Sequence, residues 1–281
     1  MCRLFARISA HAYPATFGFL ETDDSLVVQS RREPDGYGIG TFSPEGHAEV
    51  VRRAKAAYLD RRFTQEAHEL RSRIFVAHIR FATNGEDLER NTHPFVQHNR
   101  ILAHNGVVHG LDELEARLRP EYRALVHGET DSERVFALIT QEVDDHAGDV
   151  TAGLIEATSW IAAELPLYAL NILLATSDTL WALRYPETHE LLWLDEREVH
   201  IPERHDRRRR LRFGVDVPAP GIGVASEPMG EADWRALQPG ELLRVGFDLE
   251  PHVTTVLPSP PAHPLTLADL DVRAVAAQRE K

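Results

Sequence analysis

Residues 2–8 alternate in character: Cys2, Leu4, Ala6 and Ile8 point one way, while Arg3, Phe5 and Arg7 point the other. A period of two predicts a half-buried β-strand at the start of the chain. A short helical segment is expected around Ser25 to Arg31, and Glu-Pro-Asp-Gly at 33–36 reads as a turn by its proline and glycine. Tyr37 to Phe42 and Ala48 to Arg52 follow as strands, joined by a Ser-Pro-Glu-Gly turn at 43–46. Residues 73–81 form the clearest strand. Ile74, Val76, His78 and Arg80 share one face of it, so the strand buries its beginning and presents two polar heads at its tip. Residues 100–108 repeat the arrangement, with Ile101, Ala103 and Asn105 on one face and an expected break at Asn105-Gly106.

The period then changes. Thr130 and Glu133 have capping-box spacing ahead of a stripe of Val135, Leu138, Ile139 and Val143. A second helical stripe, Leu154, Ile155, Ile161, Ala162 and Leu165, ends at Pro166. Strand patterns resume at 168–176, 180–185, 191–194, 222–226, 242–247 and 252–257. Strands, then helices, then strands imply an α+β protein with helices packed on antiparallel sheets. The proline-rich stretch 258–264 reads as a linker, giving one domain over 2–257 and a linker with a C-terminal tail over 258–281.

Composition narrows the function classes. One cysteine in 281 residues excludes an intrachain disulfide and any multi-cysteine metal or iron–sulfur site. A net charge of −13 opposes nucleic-acid binding, which needs a basic footprint. No run reaches the ~18 apolar residues of a membrane span. Arginines interrupt the first apolar residues, unlike a signal peptide, so a cytoplasmic location is expected. Histidines at 78, 93, 98, 104 and 109 lack a paired helical spacing and a carboxylate at a characteristic offset, so no metal site is expected.

The lone cysteine, Cys2, directly follows Met1. Such a residue packs equally well as a small hydrophobe in a first strand. Removal of Met1 would instead expose a thiol nucleophile and, on the same residue, an α-amine of pKa roughly 7.7–8 able to act as its base. Polar clusters recur at the expected strand ends and turns. Attack on a carboxamide needs a nucleophile, a base and donors for the carbonyl oxygen. Cys2 offers the first two, and the Asn105 amide with the Gly106 N–H offers donors. Arg80 can fork onto a carboxylate and Asp131 can take an ammonium. Each has a plainer role available: Asn-Gly as a tight turn, Asp131 as a first-turn acid, Arg80 in a surface ion pair. Six arginines within 204–212 fit either a solvated loop or an anion-binding segment.

Together the motifs resemble those of the class II glutamine amidotransferases, whose catalytic domains are N-terminal-nucleophile hydrolases. They are Met-Cys at 1–2, Asp-Gly-Tyr-Gly at 35–38, His-Ile-Arg-Phe-Ala-Thr-Asn-Gly at 78–85, Asn-Thr-His-Pro at 91–94, His-Asn-Gly at 104–106 and Glu-Thr-Asp-Ser-Glu at 129–133. The resemblance implies a four-layer αββα sandwich of two antiparallel sheets flanked by helices. It also implies that Cys2 attacks the side-chain amide of glutamine or a γ-glutamyl compound, forming a γ-glutamyl thioester that water hydrolyses to glutamate. Asn105 and Gly106 would form the oxyanion hole. Arg80, with Thr83 and His93 beside it, would hold the α-carboxylate, Asp131 the α-ammonium, and Arg32 would lie near the nucleophile. No cofactor is implied. Asn171-Ile172-Leu173 and Ala225-Ser226-Glu227-Pro228 are similar to the stand-alone branch that includes the ergothioneine-pathway γ-glutamyl amidohydrolase and the amidotransferase-like subunit of glutathione degradation. The expected partner is a small γ-glutamyl substrate, with room for a homodimer or a separate synthase or peptidase. The alternative is a catalytically silent subunit that binds γ-glutamyl ligands for another enzyme, supplying ammonia or scaffolding it.

Overall fold

A computed structural model of the chain describes residues 2–81, 88–198 and 220–279. Two sheets stack face to face. The first runs β11-β9-β10-β1-β4-β2-β3, built from β1 (Arg3–Pro14), β2 (Gly36–Phe42), β3 (Ala48–Arg53), β4 (Arg71–Arg80), β9 (Leu192–Asp195), β10 (Gly221–Ala225) and β11 (Arg235–Ala236). The second runs β13-β12-β8-β7-β6-β5, from β5 (Phe95–Gln97), β6 (Arg100–Val108), β7 (Pro166–Ala175), β8 (Thr179–Leu183), β12 (Glu241–Gly246) and β13 (His252–Thr255). Neighbours along both paths pair antiparallel.

The alternation read from the sequence determines what faces what. Leu4, Ala6 and Ile8 of β1, Ile74 and Val76 of β4, and Ile222 and Val224 of β10 meet Ile101, Ala103, Leu173, Ala182 and Val245 of the second sheet in the central core. The opposite face of the first sheet (Phe5, Ile39, Phe75, Ile79) packs on Leu26 of α1 (Leu26–Gln29) and on Phe63 and Ala67 of α2 (Arg61–Glu69). Leu102, Ile172, Leu174 and Leu183 pack on α5 (Asp131–Asp145) and α6 (Val150–Glu164), with α3 (Leu111–Arg117) and α4 (Pro120–Arg123) along the same side. The result is the expected helix–sheet–sheet–helix sandwich. Among the described residues, no helix is long and apolar enough to cross a membrane.

Several local expectations change. β1 is buried on both faces through Ser9, because helices cover its outer side. Its outward arginines are accommodated by ion pairs: Arg3 with Glu33 and Glu227, Arg7 with Glu196. Asn105-Gly106 breaks nothing. β6 continues to Val108 with Asn105 opposite Asn171 and Gly106 opposite Leu170, so the ladder of a central strand overrides the turn preference. The tip of β4 is covered rather than presented: His78 and Arg80 are both buried. The segment expected to be a linker docks on the second sheet. There β14 (His263–Pro264) pairs parallel with β7, and Leu270 and Ala274, the latter on α7 (Val272–Arg279), pack on Val107 and Tyr168.

Candidate active site

Cys2 stands immediately before β1, between β4 and the end of β10. Its Sγ lies 3.2 Å from the Phe81 carbonyl and receives the Phe81 N–H at 3.1 Å. Ser226, just past β10, closes the other flank: its hydroxyl accepts the Leu4 N–H at 3.0 Å and its own N–H donates to the Leu4 carbonyl at 3.1 Å. Across the gap between sheets, the Asn105 amide donates from Nδ2 to the Cys2 carbonyl at 2.6 Å. His78 Nε2 is 3.2 Å from Asn105 Oδ1. The end of β4 and the middle of β6 therefore converge on Cys2, while Ser226 holds Leu4 two residues along.

The electrostatics of this spot are set by burial. Cys2 as a residue is half-buried, yet desolvation pushes its thiol up to about 11, with the Glu33 charge adding and the Phe81 N–H and Arg80 opposing. At neutral pH such a thiol is almost wholly protonated and needs a base. Burial also depresses His78 to about 3, helped by Arg80 and His104, while the Asn105 contact opposes. His93 is held well below its ordinary value by burial and then by His78, His104 and Arg80. His104 is lowered by burial against the pull of Asp131. The three imidazoles are neutral and Arg80 carries the positive charge.

His93 is fixed by backbone packing. Its ring lies 4.4 Å from that of His78 and 4.6 Å from Phe95. The strand beneath it must lack a side chain: a Cβ on Gly38 would sit 2.0 Å from the His93 carbonyl. That explains the glycine in Asp-Gly-Tyr-Gly. Gly106 is similarly crowded, since a Cβ there would meet the Ala169 carbonyl at 1.9 Å and His104 Nε2 at 2.3 Å. His104 Nδ1 pairs with the Ser132 hydroxyl at 2.9 Å.

Asp131 occupies the first position of α5, where Thr130 caps the Glu133 N–H at 3.3 Å. The Glu133 carboxylate takes the Gly128 N–H instead of completing a capping box. Asp131 Oδ2 accepts the Val108 N–H and Oδ1 the Ser132 N–H, both at 2.9 Å. Oδ1 also accepts the Ser132 hydroxyl at 3.3 Å, and since a carboxylate offers about four acceptor sites, it is Oδ2 that keeps capacity for a ligand cation.

Cys2, Arg80, His93, Asn105, Gly106 and Asp131 are thus gathered around the β4 and β6 ends. Arg32 lies at the surface on the β10 flank, paired with Asp24 at 3.3 Å and Glu227 at 3.1 Å. Glu227 in turn pairs with Arg3 at 2.8 Å, which reaches buried Glu33 at 3.4 Å. Thr83 and the arginine-rich 204–212 lie outside the described residues. Sequence reasoning assigned no role to His78, Ser132, Ser226 or Glu227. The motifs containing them were visible, but their partners are 27 to 224 residues away in the chain.

A model of the family described as glutamine amidotransferases class-II matches residues 1–264. The chain belongs to that family. Class-II glutamine amidotransferases act on amide carbon–nitrogen bonds. An uncharacterized protein of Methanocaldococcus jannaschii is 28% identical over 241 residues, covering 78% of this chain and 63% of its own. The glutamine–fructose-6-phosphate aminotransferase of Brucella suis is 34% identical over 130 residues, covering 46% of this amidotransferase and 21% of itself. The chain therefore spans less than two thirds of either relative. A class-II domain protein from Silicibacter pomeroyi superposes with TM-score 0.64 at 22% identity, covering 90% of this chain and 99% of that one. The glutamine phosphoribosylpyrophosphate amidotransferase of B. subtilis gives 0.64 at 17%, covering 92% and 50%. At such identities the two structures speak for the shared N-terminal-nucleophile fold.

Proposed function

We propose that, once Met1 is removed, this amidotransferase hydrolyses the side-chain amide of glutamine or another γ-glutamyl compound through Cys2. The observation that carries it is the Asn105 amide donor 2.6 Å from the backbone carbonyl of Cys2, the residue that bears the thiol. The α-amine takes the thiol proton as sulfur attacks the amide carbon, and the oxyanion is received by Asn105 Nδ2 and the Gly106 N–H. Collapse breaks the carbon–nitrogen bond, and the α-ammonium returns the proton to the departing ammonia or amine. Water then attacks the thioester, the α-amine taking its proton, and glutamate leaves as the thiol re-forms. Arg80 holds the α-carboxylate with His93 beside it, Asp131 holds the α-ammonium, and Arg32 serves near the nucleophile, while Thr83 is assigned to the carboxylate end by the motif alone.

The runner-up is a silent γ-glutamyl-binding subunit serving a partner enzyme, and the thiol held near 11 is the observation that favours it. Cys2→Ala decides between them. Loss of glutamate release from L-glutamine and γ-glutamyl amides, with folding intact, is expected; turnover by the variant at the parent rate would overturn the assignment.

A further inference from the structure

The Asn105 side chain is held at both ends. Nδ2 donates to the Cys2 carbonyl at 2.6 Å, while Oδ1 faces His78 Nε2 at 3.2 Å. An amide oxygen only accepts, so the second contact is a hydrogen bond only when the imidazole proton sits on Nε2. Among the described residues His78 Nδ1 has no hydrogen-bond partner, and the ring is 1% exposed. A neutral imidazole has one N–H to place, and Nε2 is where an acceptor waits. We propose that His78 is a positioning residue whose Nε2–H sets the orientation of the Asn105 amide, keeping its NH₂ turned toward Cys2 and the bound amide carbonyl. The role in turnover rests on the oxyanion assignment above; the tautomer does not.

The consequence follows from counting donors. Nδ2 has two hydrogens: one goes to the Cys2 carbonyl and the second is available to the oxygen of a substrate amide. A flipped Asn105 would place Oδ1 against the Cys2 carbonyl, acceptor to acceptor, and NH₂ against Nε2–H, donor to donor. The other tautomer would remove the second of these repulsions and stabilise the flipped amide. That would point an oxygen at the place where negative charge develops. His78 is therefore a device for preorganising a dipole, which is effective because no reorganisation is needed during reaction. Burial and the neighbouring Arg80 charge keep the ring neutral, so the single-proton condition holds at physiological pH. The His93 ring at 4.4 Å packs against it.

Two measurements on the protein lacking Met1 test this. Two-bond ¹H–¹⁵N correlations of the histidines should show His78 as the Nε2–H tautomer; an Nδ1–H pattern overturns the proposal whatever the protein turns over. In kinetics with L-glutamine, His78→Leu should lower kcat by about 10- to 100-fold, less than the ~10²–10³ of deleting an oxyanion donor. KM should stay within about threefold, as should the rate of Cys2 alkylation by iodoacetamide, since neither depends on that donor. His78→Gln, which keeps an N–H donor at the end of its side chain, should recover most of kcat. Parent-like kcat in His78→Leu, a loss residing only in KM, or a folded His78→Gln no better than His78→Leu would overturn the proposal. Parent-rate turnover by Cys2→Ala would overturn the nucleophile assignment instead, leaving the tautomer result standing.

Discussion

Cys2 in the chain that retains Met1 should resist alkylation, and the structure gives the size of the effect. Its thiol is pushed up to about 11, so the thiolate fraction at pH 7.5 is about 3 × 10⁻⁴, against about 10% for an ordinary thiol of pKa ~8.5. The ratio is about 300. A more basic thiolate is intrinsically more nucleophilic, with a Brønsted slope of roughly 0.4–0.5, which returns about a factor of ten over ~2.5 units. The net deficit is about 20- to 30-fold. Iodoacetamide labelling followed by intact mass from pH 6.5 to 10 reads it directly: the rate should rise about tenfold per pH unit without a plateau. Removing Met1 should add a component titrating near ~8, where a free α-amine loses its proton. A plateau between pH 8 and 9 in the Met1-bearing protein, at the rate of an ordinary cysteine, would refute the burial argument.

Arg80→Lys should raise KM for L-glutamine by about 10- to 100-fold with little change in kcat, because a lost charge-assisted fork is worth ~1.5–3 kcal/mol; an unchanged KM in steady-state kinetics would count against its role. Gly38→Ala places a Cβ 2.0 Å from the His93 carbonyl and should cost about 1–3 kcal/mol in urea unfolding through overpacking. The histidines give a pH signature whose sign is fixed. His78, His93 and His104 are all depressed in the fold, so below ~6.5 the unfolded chain binds protons that the native state refuses. Stability should therefore be lost as pH falls below that value, toward about 3 for His78, by up to about 1.4 kcal/mol per pH unit for each histidine. A melting temperature that stays flat from pH 7 to 5 would contradict it.

How far the sequence carried these conclusions depended on the kind of signal. Alternation identified β1, β4 and β6 and placed Leu4, Val76 and Ala103 on their correct inner faces, because the period of two survives whatever packs outside. It could not show that the outer face of β1 is covered, since Arg3 and Arg7 look solvent-exposed until Glu33, Glu227 and Glu196 arrive from distant parts of the chain. α2 is not legible in the sequence because it buries only Phe63 and Ala67 along nine residues, too sparse a stripe to register as a helix. Asn105-Gly106 reads as a break because a local turn preference is visible in sequence and a central ladder is not. The motifs gave the candidate residues and their family. They could not give the His78–Asn105–Cys2 chain of contacts, which spans two sheets.

Labelling with a glutamine analogue that carries a diazoketone in place of the side-chain amide tests the central claim most directly. In protein lacking Met1, peptide mapping should find one adduct, on Cys2, whose formation L-glutamine slows and whose counterpart in Met1-bearing protein is absent. No adduct, an adduct on another residue, or equal labelling with Met1 in place would contradict Cys2 as the N-terminal nucleophile.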